Sequence, residues 1–431
     1  MSGTVAVIGA GISGLVAARE LQRAGWEVEV FEAANQPGGH SNTVFVEDDG
    51  GRHGVDTGFI VFNERNYPNF ERLLGELRVP TQPAPMHFSV SDDGGDFEWS
   101  SRPLGLFAKP GHLVDPRFHR MLADLVRFFR EARELLDRDG DSESLRAFLV
   151  SRGYSEYFIE RLIIPQVAAV WSADPEALWS FPANFLARFL DNHGALQLRG
   201  RPRWRSIVGG SRLYVDALVA PFRDRIRLAT PVLELRRLPD RVELSTDLGR
   251  RAFDQVVIAT HSDQALAMLA DPSRAERALL GSLPYQANET VLHTDRSLMP
   301  RRRRAWGSWN FHLAGASVGR TTVTYDMNRL QSLRAGRRYL VTLNRGEAID
   351  PAQVIFRTSY AHPVYTLEGL RAQRSWAEIS GLNRTHYCGA YWGWGFHEDG
   401  VVSALRACER LGALARGREI EAARPPAELA A

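Results

Sequence analysis

Two stretches at opposite ends of this 431-residue chain hold residue types and spacings that can do chemistry. Near the start, Gly9, Gly11 and Gly14 complete G-x-G-x-x-G within "TVAVIGAGISGLVAARELQRAGWEVEVFEA". In such a motif the first glycine allows a tight turn and the second lets the backbone approach a pyrophosphate. The third lets a helix pack closely on a strand. Ile12 and Ser13 would then open a helix whose free amides and positive dipole end face phosphate. Glu32, followed by Ala33, ends the next strand 18 residues after Gly14, where a carboxylate can accept from ribose hydroxyls. Glu32 alone does not separate one dinucleotide from another. Far downstream, "AYWGWGFHEDG" sets Tyr391, Trp392, Trp394 and Phe396 beside His397, an acidic pair and Gly400. Aromatic faces gathered this way can wall a cavity.

Bringing these stretches together is the task of the elements between them. Val5, Val7 and Ile8 form a short buried strand, "LVAAREL" continues as a helix, Gly25 stops it, and "EVEVFE" is a second strand. From about Leu104 to Ala195 the pattern turns helical. Phe118, Met121, Leu122, Leu125, Phe129 and Leu136 recur at three- and four-residue spacing, which is one apolar helix face. Strand patterns return in "IRLATPVLELRRLPDRVELSTD" and "FDQVVIATHSDQALAML". They continue through "NETVLHTD", "TTVTYDM" and "RYLVTLN", which predict a second sheet. A last strand ends at Gly389, and a helix is expected to open at Gly400.

The bulk numbers bound the answer. A chain of this length with 44% hydrophobic and 24% charged residues predicts a globular protein of two domains. A net charge of +2 gives no reason to expect nucleic acid. The longest apolar stretch, Leu162 to Trp171, is too short to span a bilayer. Strand-like sequence from Thr4 leaves no room for a signal peptide, and two cysteines, Cys388 and Cys408, make no disulfide framework. A cytoplasmic protein without a metal site is expected.

"NQPGGHSNTV" resembles the second motif of the flavin amine oxidase and phytoene desaturase superfamily, G-G-R-x-x-T. Gly38, Gly39 and Thr43 keep the pattern, while His40, followed by Ser41, stands where that superfamily generally has Arg. "GVDTGFIVFN" resembles its turn beside the flavin ring, making Thr57, Gly58 and Phe59 candidates; taken alone it fits any strand with a bulge glycine. The resemblance implies FAD as cofactor. It places Val232 at the adenine, Ala259 and Thr260 near the dinucleotide, and Gly389 at the strand end. There Ala390 replaces an acidic residue common in relatives. Gly400 and Val401 would approach the ring through their backbone, with Tyr391, Trp392, Trp394 and Phe396 facing it. The implied fold is α/β, a Rossmann-like FAD-binding domain of glutathione reductase type with an inserted substrate domain of sheet plus helical cap. The expected division assigns residues 1–75, 201–265 and 380–417 to the FAD-binding domain. Residues 76–200 and 266–379 form the substrate domain, and 418–431 a flexible tail.

"VTYDMNRLQSL", "LVTLNR", "FPANFLARFLDNHG" and "GWGFHEDG" resemble a narrower bacterial group of FAD-dependent oxidoreductases of fatty-acyl modification. That group is associated with enzymes related to cyclopropane fatty-acid synthase. The implied activity is desaturation of methyl-branched, unsaturated fatty acyl chains of phospholipids, the step toward furan fatty acids. Hydride would pass from the acyl carbon to flavin N5, with Tyr391 or His397 taking the proton and His261, His293 and His362 behind them. A functional link to an S-adenosylmethionine-dependent lipid methyltransferase is also implied. Two alternatives stay open: an amine oxidase acting on a small amine, and a non-catalytic flavin-bearing partner of a lipid methyltransferase. Flavin amine oxidases commonly keep a lysine that holds a water against flavin N5, and the only lysine here is Lys109 in "RPLGLFAKPGH". That counts against the first.

"SSRPLGLFAKPGHLVDPRF" interleaves Leu104, Leu106, Phe107 and Leu113 with Arg102, Lys109 and Arg117. "RRRRAWGSW" (Arg301 to Trp309) pairs charge with Trp. Each is either a solvated loop or a segment resting among headgroups at the inner face of the membrane.

Overall fold

The computed structural model describes residues 3–136, 143–171, 179, 182–196, 202–313, 321–413 and 420–421. The opening strand, Thr4–Ile8, lies at the centre of a five-stranded parallel sheet. Across that sheet the order is Ile226–Arg227, Glu27–Phe31, Thr4–Ile8, Gln255–Ile258 and Thr385–Tyr387. A parallel sheet is covered on both faces, and its central strands accordingly read as unbroken apolar runs, VAVI and QVVI. On one face the opening helix, Ile12–Arg23, packs on the terminal helix, His397–Arg410, through Leu15, Val16, Ala404 and Leu405. On the other, an antiparallel three-stranded sheet (Val232–Arg237, Val242–Thr246, Gly249–Phe253) buries Leu235 and Leu244 against Ala6, Ile8, Val256 and Ile258. The two chain ends thus meet on one sheet, as the sequence predicts.

The second layer is a seven-stranded mixed sheet. Its order is Val354–Pro363, Tyr285–His293, Leu340–Leu343, Val323–Asp326, Trp309–Leu313, Phe88–Asp92 and Glu98–Ser100. Helices cover it, sharing one core in which Phe118, Phe148, Phe158 and Phe185 meet Val90, Phe311 and Val341. The longest, Pro116–Glu131, starts at Asp115, whose side chain accepts from the Arg117 N–H at 2.9 Å. Its predicted apolar face is real: Phe118 and Met121 are fully buried, while Leu125 and Phe129 line the cavity described below.

One boundary differs. The terminal helix begins at His397, three residues before the expected Gly400, because Asp399 accepts from the Phe396 N–H at 2.8 Å and caps the helix from inside. Of the tail expected at 418–431, only Ile420 and Glu421 fall among the described residues, and Asn69 Nδ2 donates to the Glu421 carbonyl at 2.7 Å. No helix among the described residues is long and apolar enough to cross a membrane.

Candidate active site

One cavity of about 1310 Å³ runs from the glycine loop to the helical cap. At the loop end, Gly9 has φ +100°, and a methyl group there would meet the Ala259 carbonyl oxygen at 3.0 Å. At Gly14 a methyl group would lie 1.9 Å from the Gly9 oxygen, so this glycine sets the contact of helix and strand. At Gly11 it would meet nothing within 4 Å. Gly39 packs close on the Gly11 backbone outside this open space, its own added methyl 3.1 Å from Gly11 Cα. Glu32 ends the second strand with each oxygen anchored: Ala10 N–H donates to one at 2.7 Å, Ala34 N–H to the other at 2.8 Å. A carboxylate oxygen has further lone pairs, so the anchored group can still accept from a ribose. Ile12, Ser13, Ala33, Gly38, Val232, Ala259, Thr260 and Gly389 line the same end.

The middle of the cavity holds an imidazole cluster. His40 lies 4.9 Å from Tyr360, 5.4 Å from His362 and 6.0 Å from His261, ring to ring. Thr57 Oγ1 and Tyr360 OH are 2.9 Å apart, and Gly58 crosses the His40 carbonyl so closely that a methyl would sit 2.1 Å from it. Burial drives His40 and His261 below the ordinary imidazole range, and holds His362 at about 4. All three are therefore neutral donors and acceptors at pH 7. A chain of hydrogen bonds settles which nitrogen of His362 carries the proton. The Glu289 N–H donates to Asn344 Oδ1 at 3.0 Å, Asn344 Nδ2 to Asn288 Oδ1 at 2.7 Å, and Asn288 Nδ2 to His362 Nδ1 at 2.9 Å. Nδ1 accepts, so Nε2 holds the hydrogen. His40 Nε2 is buried with no partner among the described residues.

The aromatic end departs from expectation. Trp394 and Phe396 line the cavity, Trp394 against Phe185 at 4.3 Å and Phe396 stacked on Phe189 at 5.6 Å. Trp392 does not. The short turn Ala390–Trp392 swings it beneath the parallel sheet, into the core of Ile258 and Tyr387. Val401 is likewise core, 1% exposed, and Gly400 sits at the helix crossing, where a methyl would be 2.9 Å from Ile12 Cγ2 and Ser13 Oγ. Neither reaches the cavity by its backbone, because the helix starts one turn earlier than expected. Ser41 does not line the cavity either; it sits behind His397, 2.9 Å from its Nε2, and makes a short hydrogen bond with Tyr214.

The two expected bases have other parts. His397 Nε2 lies between Ser41 Oγ and Tyr214 OH (3.0 Å), its ring stacked 3.5 Å from Phe59, and burial lowers it to about 3. Burial raises the Tyr391 phenol well above its usual range, so it stays a donor rather than a base. His293 is fully buried in the second sheet, 2.7 Å from Thr342 Oγ1, outside the cavity. Tyr360, Tyr285 and Phe189 line the cavity and were missed. For Tyr360 the period-two spacing with His362 in "SYAHP" was the available signal. Lys109 holds Asp96 at the surface and takes no part.

A pyrophosphate cradle opening into an aromatic chamber, on a doubly covered parallel sheet with an inserted domain, defines a flavoprotein oxidoreductase. The chain belongs to the flavin containing amine oxidoreductase family, which matches residues 12–327. Its cofactor is FAD. A hydroxysqualene dehydroxylase from Sinorhizobium fredii is 28% identical over 294 residues, covering 66% of this chain and 65% of its own. A mitochondrial protoporphyrinogen oxidase from Nicotiana tabacum is 26% identical, covering 54% and 50%. The matched region thus spans less than two thirds of either relative. Among solved structures, cyclohexylamine oxidase from Brevibacterium oxydans superposes with a TM-score of 0.69 at 18% identity, covering 96% of this chain and 100% of that one. A fatty acid isomerase from P. acnes gives 0.67 at 14%, covering 95% and 98%. At such identities the likeness is one of fold. The residues fit the cofactor: the open space on Gly11 suits a pyrophosphate, and the buried, unpartnered His40 Nε2 offers a bound group a polar contact.

Proposed function

We propose that this FAD-dependent oxidoreductase desaturates methyl-branched, unsaturated acyl chains carried on phospholipids, the step toward furan fatty acids. One observation carries the reading. Among the described residues, Glu32 is the only Asp, Glu, Lys or Arg that lines the cavity, and it sits at the dinucleotide end. A substrate with an ammonium or carboxylate head would be stripped of water in the chamber without a charged partner, at a cost of several kcal/mol. A hydrocarbon chain meets no such penalty. Leu125, Phe129, Leu162, Val170, Phe189, Trp394 and Phe396 offer it continuous apolar wall. One relative is named for hydroxysqualene, and one protein of the same fold for a fatty acid.

Bound FAD supplies the hydride acceptor. The chain supplies position and dryness. The aromatic wall orients the acyl carbon and excludes water, His362 Nε2–H and the Tyr391 phenol remain neutral donors, and His40 Nε2 is an imidazole nitrogen with no partner among the described residues. The branch methyl of the substrate comes from methyl transfer, so an S-adenosylmethionine-dependent lipid methyltransferase is the class of enzyme that acts before this one.

The test mixes the yellow protein, without oxygen, with phospholipids bearing methyl-branched unsaturated chains. Flavin bleaching together with a new conjugated diene by mass and ultraviolet spectrum is the expected result. Bleaching by a small amine and not by lipid would return the chain to amine oxidation. Silence with both would favour a flavin-bearing partner without catalysis.

A further inference from the structure

The two surface segments set apart in the sequence meet in the fold. Ser100 Oγ donates to the Arg304 carbonyl at 3.3 Å, and Arg102 Nη1 donates to the Trp306 carbonyl at 3.3 Å. Gly105 lets the two chains touch, since a methyl there would be 2.8 Å from the Arg304 oxygen. We propose that residues 102–114 and 301–306 form one docking surface for an anionic phospholipid bilayer, set at the substrate mouth of the cavity.

Three observations support the surface. First, it exposes large apolar side chains on a firm base. Leu104 is 78% exposed, Leu113 58% and Val114 82%. Beneath them Leu106 and Phe107 pack on the main core, and the His112 ring stacks on Phe118 at 4.1 Å. Leu113 and Val114 are held outward at consecutive positions, and Leu104 projects from the same segment, which is more exposed apolar surface than a single scattered side chain gives. Second, the charge around them suits lipid phosphate. Arg302 is engaged by Glu98 at 2.8 Å, but no carboxylate among the described residues pairs with Arg102, Arg303 or Arg304. Of the acids close by, Asp96 pairs with Lys109, Asp93 with Arg345 at 2.8 Å and Asp115 with Arg117 at 3.0 Å, while Asp92, near His112, accepts from the Asp96 N–H at 2.8 Å. Trp306, flanked by Arg303 and Arg338 at 5.8 and 5.5 Å, adds the ring type that settles at a headgroup boundary. Third, the cavity reaches the surface here. Ser101 is exposed and lines the cavity with Met86, His87 and Phe88, and Leu125 and Phe129 line it too. A bilayer seated on Leu104 and Val114 would put acyl chains at that opening, with phosphates against the free arginines. A soluble protein partner would explain the apolar residues but not the position of the mouth.

The inference deepens the acyl-lipid reading and rests on it for its purpose, yet it is tested without turnover. The FAD-loaded full chain is sedimented with phosphatidylcholine vesicles, with and without phosphatidylglycerol. Wild type is expected to sediment with the anionic vesicles and to be released as salt rises. Leu104→Asp with Val114→Asp, and separately Arg303→Glu with Arg304→Glu, should each weaken binding by roughly tenfold or more. Flavin spectrum, melting temperature and bleaching by detergent-dispersed lipid should stay unchanged. Wild type that stays in the supernatant overturns the proposal, as do variants that bind like wild type. So does a wild-type dimer that these variants dissolve, which would make the patch a protein interface. If vesicles fail while dispersed lipid bleaches the flavin, only the docking surface falls. If vesicles bind and no lipid bleaches, only the acyl-lipid reading falls.

Discussion

Gly11 and Gly14 stand three residues apart in one motif and face opposite environments. A methyl group at Gly14 overlaps the Gly9 oxygen at 1.9 Å, whereas at Gly11 it enters the space where the cofactor belongs. The two alanine variants should therefore fail differently. Gly14→Ala must push the helix off the strand, costing about 1–3 kcal/mol or more as overpacking does, and should lower the melting temperature of the apoprotein. Gly11→Ala should melt like the wild-type apoprotein yet bind FAD roughly tenfold or more weakly, for a similar steric cost now met only on binding. Apoprotein melting and FAD titration separate the two. Normal FAD binding by Gly11→Ala would show that the pyrophosphate does not lie on this loop. The surroundings of both glycines were legible in the sequence, because strand, turn and helix are contiguous and fix the local geometry. Residues 391–396 were not. The loop has no periodicity, so nothing in "AYWGWGF" tells that Trp394 lines the cavity and Trp392, two residues earlier, fills the core beneath the sheet.

Between elements, His397 acts as a rivet. It opens the terminal helix, hydrogen-bonds Ser41 in the loop after the glycine pair, and meets Tyr214 from the helix Arg212–Val219. Phe59 stacks on its ring and Phe70 meets it edge-on at 5.5 Å. Burial is what lowers this imidazole to about 3. A free imidazole binds its proton near pH 6.5. The unfolded chain therefore takes up the proton first, and stability is present above about 6.5 and lost as pH falls toward about 3. Removing the ring in His397→Asn should cost on the order of 2–3 kcal/mol at pH 7.5, from lost packing and hydrogen bonds. It should also flatten the loss of stability between pH 7 and 5, read by urea unfolding at several pH values. A variant curve parallel to wild type would mean that other buried histidines, His362 and His193 among them, set the acid sensitivity. The sequence marked His397 as a chemical residue but not as a structural one. Its partners come from residues 41, 59, 70 and 214, and only the fold joins them.

Among the described residues the molecule is built on two large sheets, one of five strands and one of seven, with smaller sheets beside them, and the cavity runs from a dinucleotide end to an apolar end. The first was readable along the chain; the second depended on long-range pairing. Phe88–Asp92 runs parallel to Trp309–Leu313, more than 200 residues away, and no local pattern announces such a partner. The helical cap was predicted from its stripes, but which stripe faces core and which faces cavity is settled by the sheet it covers. Leu162, Gln166, Ala169 and Val170 recur at helical spacing on the cavity side, opposite a sheet that contributes Thr290, Trp309, Tyr325 and Leu343. If this chamber measures acyl chains, filling it should shorten the chain it accepts. Val170→Trp places a large ring into open space rather than into packed core, so the fold and the distant FAD cradle should be undisturbed. The expected outcome is a fall in kcat/KM that grows with chain length, at about 0.8 kcal/mol for each methylene denied its burial. Shorter branched chains should keep near wild-type rates. The measurement is kcat/KM across a chain-length series, beside the FAD content and melting temperature of the same preparation. A uniform loss at every length would place the acyl chain elsewhere in the cavity, along the wall formed by Phe189, Trp394 and Phe396.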